Sequence, residues 1–208
     1  MIELETLIPF FAASLLLGIA PGPDNIFVLT QSALHGKKAG IIVMLGLCTG
    51  LVAHTTAVAL GVAVIFHTSA VAFSMLKFIG AGYLVYLAWQ AFKASAEIIR
   101  NALPEKFSLR KLYLRGILMN ITNPKVSLFF LAFLPQFADP SRGPVSIQIF
   151  LLGGVFILAT LLVFGGIALL SGSIGQVLTR SVRFNKILNK VAGTVFLGLA
   201  LKLATTER

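Results

Sequence analysis

The sequence predicts an all-α integral membrane protein of about six transmembrane helices, arranged as two inverted three-helix repeats with broken first helices. Of its 208 residues, 57% are hydrophobic and 12% are charged, and the mean hydropathy of +0.94 lies far above that of soluble proteins. A helix needs about 20 apolar residues to cross a bilayer core, so the chain has room for about six spans. A proline-broken, charged stretch in each half of the sequence indicates the repeats.

Six apolar segments follow one another along the chain, at about 6–34, 41–66, 70–92, 112–138, 147–172 and 187–204. They show no strand-like alternation. Because only helices and closed barrels satisfy the backbone in lipid, we expect them to be helices. We expect one transmembrane transporter domain over 1–208, with repeat 1 at about 1–92, a basic cytoplasmic loop at about 93–111 and repeat 2 at about 112–208.

Lys and Arg residues are distributed unevenly between the two sides of the predicted bundle. Twelve of them lie in, or at the segment ends beside, the loops after the first, third and fifth segments, and four lie towards the other side. The positive-inside rule therefore places the odd-numbered loops in the cytoplasm and both termini outside. These basic clusters account for the net charge of +10 without forming one basic face, so we expect no nucleic-acid partner.

Two short patterns recur between the halves. The pattern K-x-x-G-x-x-aromatic-L occurs at 77–84 and again at 190–197, and a proline followed by a charge occurs at 23–24 and 124–125. A second copy of a three-helix unit enters the membrane from the opposite face, so the repeats must be inverted. Inverted repeats with broken helices are typical of secondary transporters, whose substrate site lies near the midplane. Chance recurrence of short apolar motifs is the alternative.

The first broken stretch lies inside the segment 6–34, which as one straight helix would be about 43 Å long, more than one crossing needs. Two prolines flank a glycine there, and because prolines remove backbone donors and clash with the preceding turn, the helix should break. The half-helix that resumes points free N–H groups into the protein interior. The residues concerned are Pro21, Gly22, Pro23, Asp24 and Asn25.

The second broken stretch, at Asn123, Pro124 and Lys125, places a lysine well inside the segment 112–138. Asp24 is the only acidic residue in any predicted span, and a charge at a span centre costs about 2.5–3.5 kcal/mol. We therefore expect Asp24 and Lys125 to pair. They would bind substrate or exchange protons, or alternatively form a purely structural ion pair between the repeats.

Three other features have both a functional and a structural interpretation. His54 lies mid-span and either relays protons or is a histidine hydrogen-bonded within the bundle. Gly46 and Gly50 form a G-x-x-x-G motif, for which packing within the monomer is the first interpretation and homodimerisation the second. Cys48 is the single cysteine, which rules out an intramolecular disulfide, and the spans contain no cluster of metal ligands.

Taken together, these residues resemble the lysine exporter (LysE/RhtB) superfamily of bacterial amino-acid exporters, particularly its homoserine, threonine and leucine branch. The resemblance covers essentially the whole chain. Its carriers are Pro21-Gly-Pro-Asp24, the His35-Gly36 turn with Gly40, Gly46 and Gly50, Tyr83-Leu84, Thr122-Asn-Pro-Lys125 and Phe133-Leu-Pro-Gln-Phe137.

The resemblance implies an inner-membrane protein that exports amino acids or close derivatives, driven by the proton gradient. With the orientation given by the loop charges, the termini are expected in the periplasm, and the leading hypothesis is export of neutral amino acids by proton antiport. Its partners would be a small amino acid, protons and membrane lipid, and no cofactor or metal is expected. Carried over by position, 21–25 and 123–125 would form the central site. Export of basic amino acids or another cation is the alternative within transport. A membrane enzyme or a non-transporting scaffold is the alternative outside it, although no catalytic constellation is apparent.

Overall fold

A computed structural model describes residues 2–20, 22–68, 70–93, 108–170 and 182–205. The helices are α1 (Leu4–Ile19), α2 (Pro23–His35), α3 (Lys37–Thr68), α4 (Ala70–Lys93), α5 (Leu109–Thr122), α6 (Pro124–Leu128), α7 (Val145–Leu170) and α8 (Val182–Thr205). Between α6 and α7 lie a π-helical turn, Phe129–Phe133, and two 3-10 turns, Leu134–Phe137 and Pro140–Arg142. The regular structure in these described ranges is helical, which confirms the predicted all-α class.

Within the described ranges, two helices are long and apolar enough to cross a membrane, Lys37–Gly61 of α3 and Val145–Leu170. Two bent pairs meet the same condition when each is taken as one span. α1 and α2 meet at 61°, and α5 meets the segment Pro124–Phe137 at 51°. α4 and α8 have 24 residues each, about 36 Å of helix, and correspond to the remaining two of the six predicted segments.

Each break contains an extended small or polar residue followed directly by a proline. α1 ends at Ile19, and α2 begins with Pro23 as its first residue after an extended Gly22. α5 ends at Thr122, and α6 begins with Pro124 after an extended Asn123. Proline suits a first helical position because its missing N–H would have no partner there. The prediction that the first helix of each half is broken is confirmed.

Close backbone contact between α3 and α5 depends on two glycines. A Cβ atom on Gly46 would collide with the carbonyl oxygen of Tyr113, and one on Gly116 would lie 2.5 Å from the carbonyl oxygen of Val43. The two backbones can approach this closely only because neither glycine has a side chain. The glycine motif of α3 therefore packs within the monomer, as its first interpretation predicted.

The recurring K-x-x-G pattern lies on two helices that pack against each other, α4 and α8. A Cβ on Gly80 would contact Leu203, and a Cβ on Gly193 would contact Phe92. Along α4 these contacts run from Gly80 to Phe92, whereas along α8 they run from Leu203 back to Gly193. The two helices are therefore antiparallel. Inversion of the repeats requires this direction, and the inverted arrangement itself stays a prediction.

Two apolar clusters of buried residues occupy opposite ends of the described bundle. The two breaks lie between them, since Ala20 and Val126 belong to the first cluster, and Val28 and Leu112 belong to the second. The first cluster is rich in phenylalanine and includes Phe10, Phe129, Phe130, Phe133 and Phe156. The second cluster includes Val28, Met44, Leu47, Leu112 and Phe164. The buried polar residues at the two breaks, which include Asp24, Asn120, Asn123 and Lys125, therefore form a polar layer between the two apolar clusters.

An ion-pair cluster joins the start of the chain to the loop that precedes α7. Arg142 pairs with Glu3 and with Asp139, the latter at 3.0 Å. Hydrogen bonds from the Ser141 hydroxyl and backbone N–H, reinforced by Arg142, hold the pKa of Asp139 below its usual range. The buried Gln148 side chain donates to the carbonyl oxygens of Asp139 and Gly143, which ties this loop to α7.

We predict that Gly46→Leu lowers the thermal unfolding midpoint of the detergent-purified protein by roughly 5–10 °C, because the added side chain separates α3 from α5. Gly61→Leu is the matched control, since Gly61 lies on the same helix, is exposed and has no atom within 4 Å of its Cβ position. Equal midpoints for the two variants would contradict the packing described here.

Candidate functional site

The Lys125 ammonium group closes the C-terminal end of α1. Its Nζ atom donates to the carbonyl oxygen of Leu17 at 3.1 Å and to that of Ala20 at 3.0 Å. The last carbonyls of a helix have no intrahelical partner and form the negative end of the helix dipole, so a buried cation is stabilised there. Lys125 is 8% exposed, and the contact joins the second half of the chain to the first.

Gly22 provides the space that the lysine occupies. A Cβ atom at this position would lie 3.1 Å from Lys125 Nζ and 3.7 Å from Lys125 Cε. A larger residue would therefore press on the ammonium group from the side of the first break. This contact explains why a small residue stands between the two prolines, a point that helix breaking alone does not require.

Asp24 lies in the first turn of α2, on the other side of the same break, and is 3% exposed. A negative charge is favourable at this end of a helix because it meets the positive end of the dipole. Its Oδ2 atom accepts a hydrogen bond from Asn123 Nδ2 at 2.7 Å. Its Oδ1 atom is buried and has no hydrogen-bond partner.

Asn123 connects the two charged residues. Its Oδ1 atom accepts from the backbone N–H of Lys125 at 3.0 Å, which caps the start of α6, while its Nδ2 atom donates to Asp24. Among the described residues, no direct ion pair joins Asp24 to Lys125. The expected pairing is therefore indirect, because the Asn123 amide joins the Asp24 carboxylate to the backbone N–H of Lys125 while the Lys125 ammonium group binds the end of α1.

The remaining residues of the first break have distinct positions. Asn25 Nδ2 donates to the carbonyl oxygen of Gly18 at 2.6 Å, so a second carbonyl-capping contact holds the end of α1. The Oδ1 atom of Asn25 is buried without a partner. Pro23 and Pro124 are exposed and act through the backbone. Pro21, the other predicted residue of this stretch, lies outside the described residues.

His54 reaches the same layer from α3. Its Nε2 atom lies 3.3 Å from the carbonyl oxygen of Asn120, so this nitrogen is the donor, and its ring lies 5.5 Å from the ring of Phe130. The same carbonyl accepts the backbone N–H of Asn123 at 3.1 Å. His54 is therefore connected to the Asp24 contact through the end of α5, and it is half-buried.

Asn120 belongs to this layer but was absent from the predicted site residues. It is 3% exposed, and its Oδ1 atom has no hydrogen-bond partner. One sequence signal could have identified it, since Asn120 opens the same polar stretch that ends at Lys125 and precedes Asn123 by one helical turn. Nothing in the sequence indicates the role of Leu17 and Ala20, because both contribute only their backbone carbonyl groups.

Among the described residues, the layer contains the strongly held Lys125 cation and buried oxygen atoms of Asp24, Asn25 and Asn120 that have no hydrogen-bond partner there. Buried oxygens normally have hydrogen-bond partners, so this set is suited to a ligand that donates hydrogen bonds. In the described part of the chain, no group of three or more His, Cys, Asp and Glu side chains could hold a metal ion. The arrangement fits an ammonium group or a proton better than a metal.

Comparison with known proteins relates the whole chain to membrane transport. A family model described as LysE type translocator matches residues 15–207. The homoserine/homoserine lactone efflux protein of Salmonella typhimurium is 34% identical over 198 residues, which cover 95% of each chain. An uncharacterized membrane protein of Vibrio cholerae is 28% identical over 205 residues, 99% of each chain.

A further relative is the uncharacterized membrane protein YrhP of Bacillus subtilis, which is 28% identical over 208 residues, 96% of this chain and 98% of that one. No solved structure matches the chain. Because the family model covers nearly the full length, both helix breaks and the polar layer between them lie within the matched region. The chain therefore belongs to the family of LysE type translocators, which are membrane transport proteins and not enzymes.

Proposed function

We propose that this protein exports neutral amino acids or close derivatives, of the homoserine, threonine and leucine class, from the cytoplasm by proton antiport. The observation that carries the proposal is the buried Oδ1 atom of Asp24, an acceptor without a partner at the N-terminal end of a broken helix. The name of the Salmonella typhimurium relative supports efflux of an amino acid and its lactone as the cargo class.

A zwitterionic amino acid would complement the two charged groups. A lysine ammonium has three donors, and the carbonyl oxygens of Leu17 and Ala20 accept from two of them, which leaves one for a substrate carboxylate. Asp24 has one oxygen bound to Asn123 and one free for a substrate ammonium. The site thus offers one further donor and one further acceptor of opposite charge.

Proton coupling would arise because a proton and the substrate ammonium group compete for the Asp24 carboxylate. A buried Asp24 that has neither a proton nor a substrate ammonium on Oδ1 is poorly solvated, so the carboxylate favours having one of them. Substrate binding would then release a proton, and substrate release on the other side would allow a proton to bind. Exchange of the two across the membrane is antiport.

Export of a basic amino acid is less well supported. A second substrate cation would need a second acceptor charge, and the described bundle interior around the breaks contains Asp24 together with the Lys125 cation. The Asn25 and Asn120 oxygens are neutral acceptors. A neutral side chain is therefore the better match to this layer.

We also propose that the protein lies in the bacterial inner membrane with both termini in the periplasm. The distribution of Lys and Arg between the loops supports this orientation. Glu3 and Arg142, which pair at one end of the bundle, would then face the periplasm together. The start of α3, with Lys37 and Lys38, would face the cytoplasm.

We expect Asp24→Asn to lower the initial rate of proton-driven homoserine transport in proteoliposomes by about 100-fold, because the neutral amide can neither bind an ammonium group strongly nor exchange a proton. Asp139→Asn is the matched control, since Asp139 is a carboxylate in the loop before α7 and should retain the wild-type rate within about twofold. Immunoblotting confirms equal amounts in the membrane. Undiminished transport by Asp24→Asn would refute the site assignment.

We expect Lys125→Met to lower the unfolding midpoint of the purified protein by roughly 5 °C, because the carbonyl groups of Leu17 and Ala20 lose their partner while the hydrocarbon stem is kept. Transport should fall as well, through loss of the remaining donor. Asp24→Asn should change the midpoint less, since Asn123 still finds an acceptor in the amide. A wild-type midpoint for Lys125→Met would show that the capping contacts contribute little to stability.

The orientation is tested by labelling single cysteines with a membrane-impermeant maleimide in a Cys48→Ser background. Glu5→Cys should react in intact cells whose outer membrane has been permeabilised, whereas Lys38→Cys should react only after the inner membrane is broken. The reverse pattern would place the termini in the cytoplasm.

A further inference from the structure

The side chain of Asn120 has a buried acceptor that no contact within the described protein explains. Its backbone carbonyl is fixed by two donors, His54 Nε2 at 3.3 Å and the N–H of Asn123 at 3.1 Å. Its Oδ1 atom has none, although the residue is only 3% exposed. A buried acceptor without a partner costs about 1–3 kcal/mol, so a donor that reaches this oxygen is bound favourably.

The fold makes room for this amide. A Cβ atom at Gly50 of α3 would lie 2.7 Å from both Cβ and Oδ1 of Asn120, so only glycine at that position leaves space for the side chain. Gly50 therefore positions Asn120. This role is separate from that of Gly46, whose lack of a side chain allows the backbones of α3 and α5 to approach each other.

Asn120 lies one turn of α5 away from the proposed ammonium site. It precedes Asn123 by three residues, a rise of about 4.5 Å along the helix, and residues at this spacing share a helix face. Asn123 donates to Asp24, whose free oxygen is the proposed ammonium acceptor. This rise is comparable to the distance between the ammonium nitrogen and the side-chain hydroxyl oxygen of a short amino acid such as homoserine.

We propose that Asn120 is a specificity-determining residue whose amide hydrogen-bonds the side-chain hydroxyl of the transported amino acid. The inference rests on the proposed function and adds the substrate class, which is short amino acids that carry a hydroxyl in place of a terminal methyl. A hydroxyl both donates and accepts, so it matches the amide group in either orientation. An aliphatic side chain at the same place leaves Oδ1 buried without a partner.

The difference in hydrogen bonding predicts that the site distinguishes a substrate with a side-chain hydroxyl from one with a methyl group in its place. A site built to hydrogen-bond a hydroxyl rejects the analogue that lacks it more strongly than an apolar pocket rejects an added hydroxyl, because the unpaired polar group stays buried. The transporter should therefore prefer homoserine to norvaline, in which a methyl group replaces the hydroxyl. We expect a preference of at least tenfold in the ratio of Vmax to KM.

The experiment measures counterflow of labelled homoserine and labelled norvaline in proteoliposomes that contain the full-length protein. Asn120→Leu should reduce the homoserine preference to about one or reverse it, because it replaces the amide by an apolar group of similar size. Asn120→Asp keeps the acceptor oxygen in a side chain of the same shape and should retain the preference. Gly50→Ala should act like Asn120→Leu, since it displaces the amide.

The outcomes separate this inference from the proposed function. Equal transport of homoserine and norvaline by the wild-type protein would overturn the role of Asn120 while leaving amino-acid export intact, and this measurement needs no variant to fold. A wild-type preference that Asn120→Leu leaves unchanged would also overturn it. Transport of neither substrate by the wild-type protein, with transport of lysine or of no amino acid, would instead overturn the proposed function.

Discussion

The structure depends on one constraint, which is that a helix broken inside a membrane must find partners for its freed backbone groups. Lipid offers none, so each unsatisfied carbonyl or N–H is costly. Here the carbonyl groups at the end of α1 receive hydrogen bonds from Lys125 and Asn25, and the backbone N–H of Lys125 at the start of α6 donates one to Asn123. These three polar residues therefore first complete the hydrogen bonding of the backbone. Any function they have is added to that structural role.

The polar layer created in this way lies between two apolar clusters, and this arrangement limits how a solute can pass. The phenylalanine-rich cluster packs on one side of the breaks, and the cluster around Val28, Leu47 and Leu112 packs on the other. Asp24 is almost fully buried between them. On the proposed function, a solute reaches the Asp24 carboxylate only when one of these clusters separates, and a transporter that opened both at once would leak. The two clusters are therefore the natural places for opposing closures.

The sequence predicted those site residues whose polarity differs from that of the apolar segment around them. Asp24 and Lys125 stand out as charges within apolar segments, and the adjacent prolines predict the breaks, so these features were predictable from composition and local chemistry alone. The partners were not, because Leu17 and Ala20 act through backbone carbonyls that every residue possesses. The link that Asn123 makes between the Asp24 carboxylate and the backbone of Lys125 also depends on the meeting of segments 99 residues apart. The role of Asn120 was not predicted either, because what distinguishes it is a buried side-chain oxygen without a hydrogen-bond partner among the described residues, which only the structure shows.

The contact between Lys125 and Ala20 also has a consequence for biosynthesis. The two residues are 105 positions apart, so at a ribosomal rate of about 5–20 residues per second α1 waits on the order of 5–20 s before its capping lysine is made. During that interval the end of α1 lacks a hydrogen-bond donor that the finished structure provides. The first half of the chain therefore cannot reach its final structure until the nascent chain has passed the second break, and the two halves mature as a single unit.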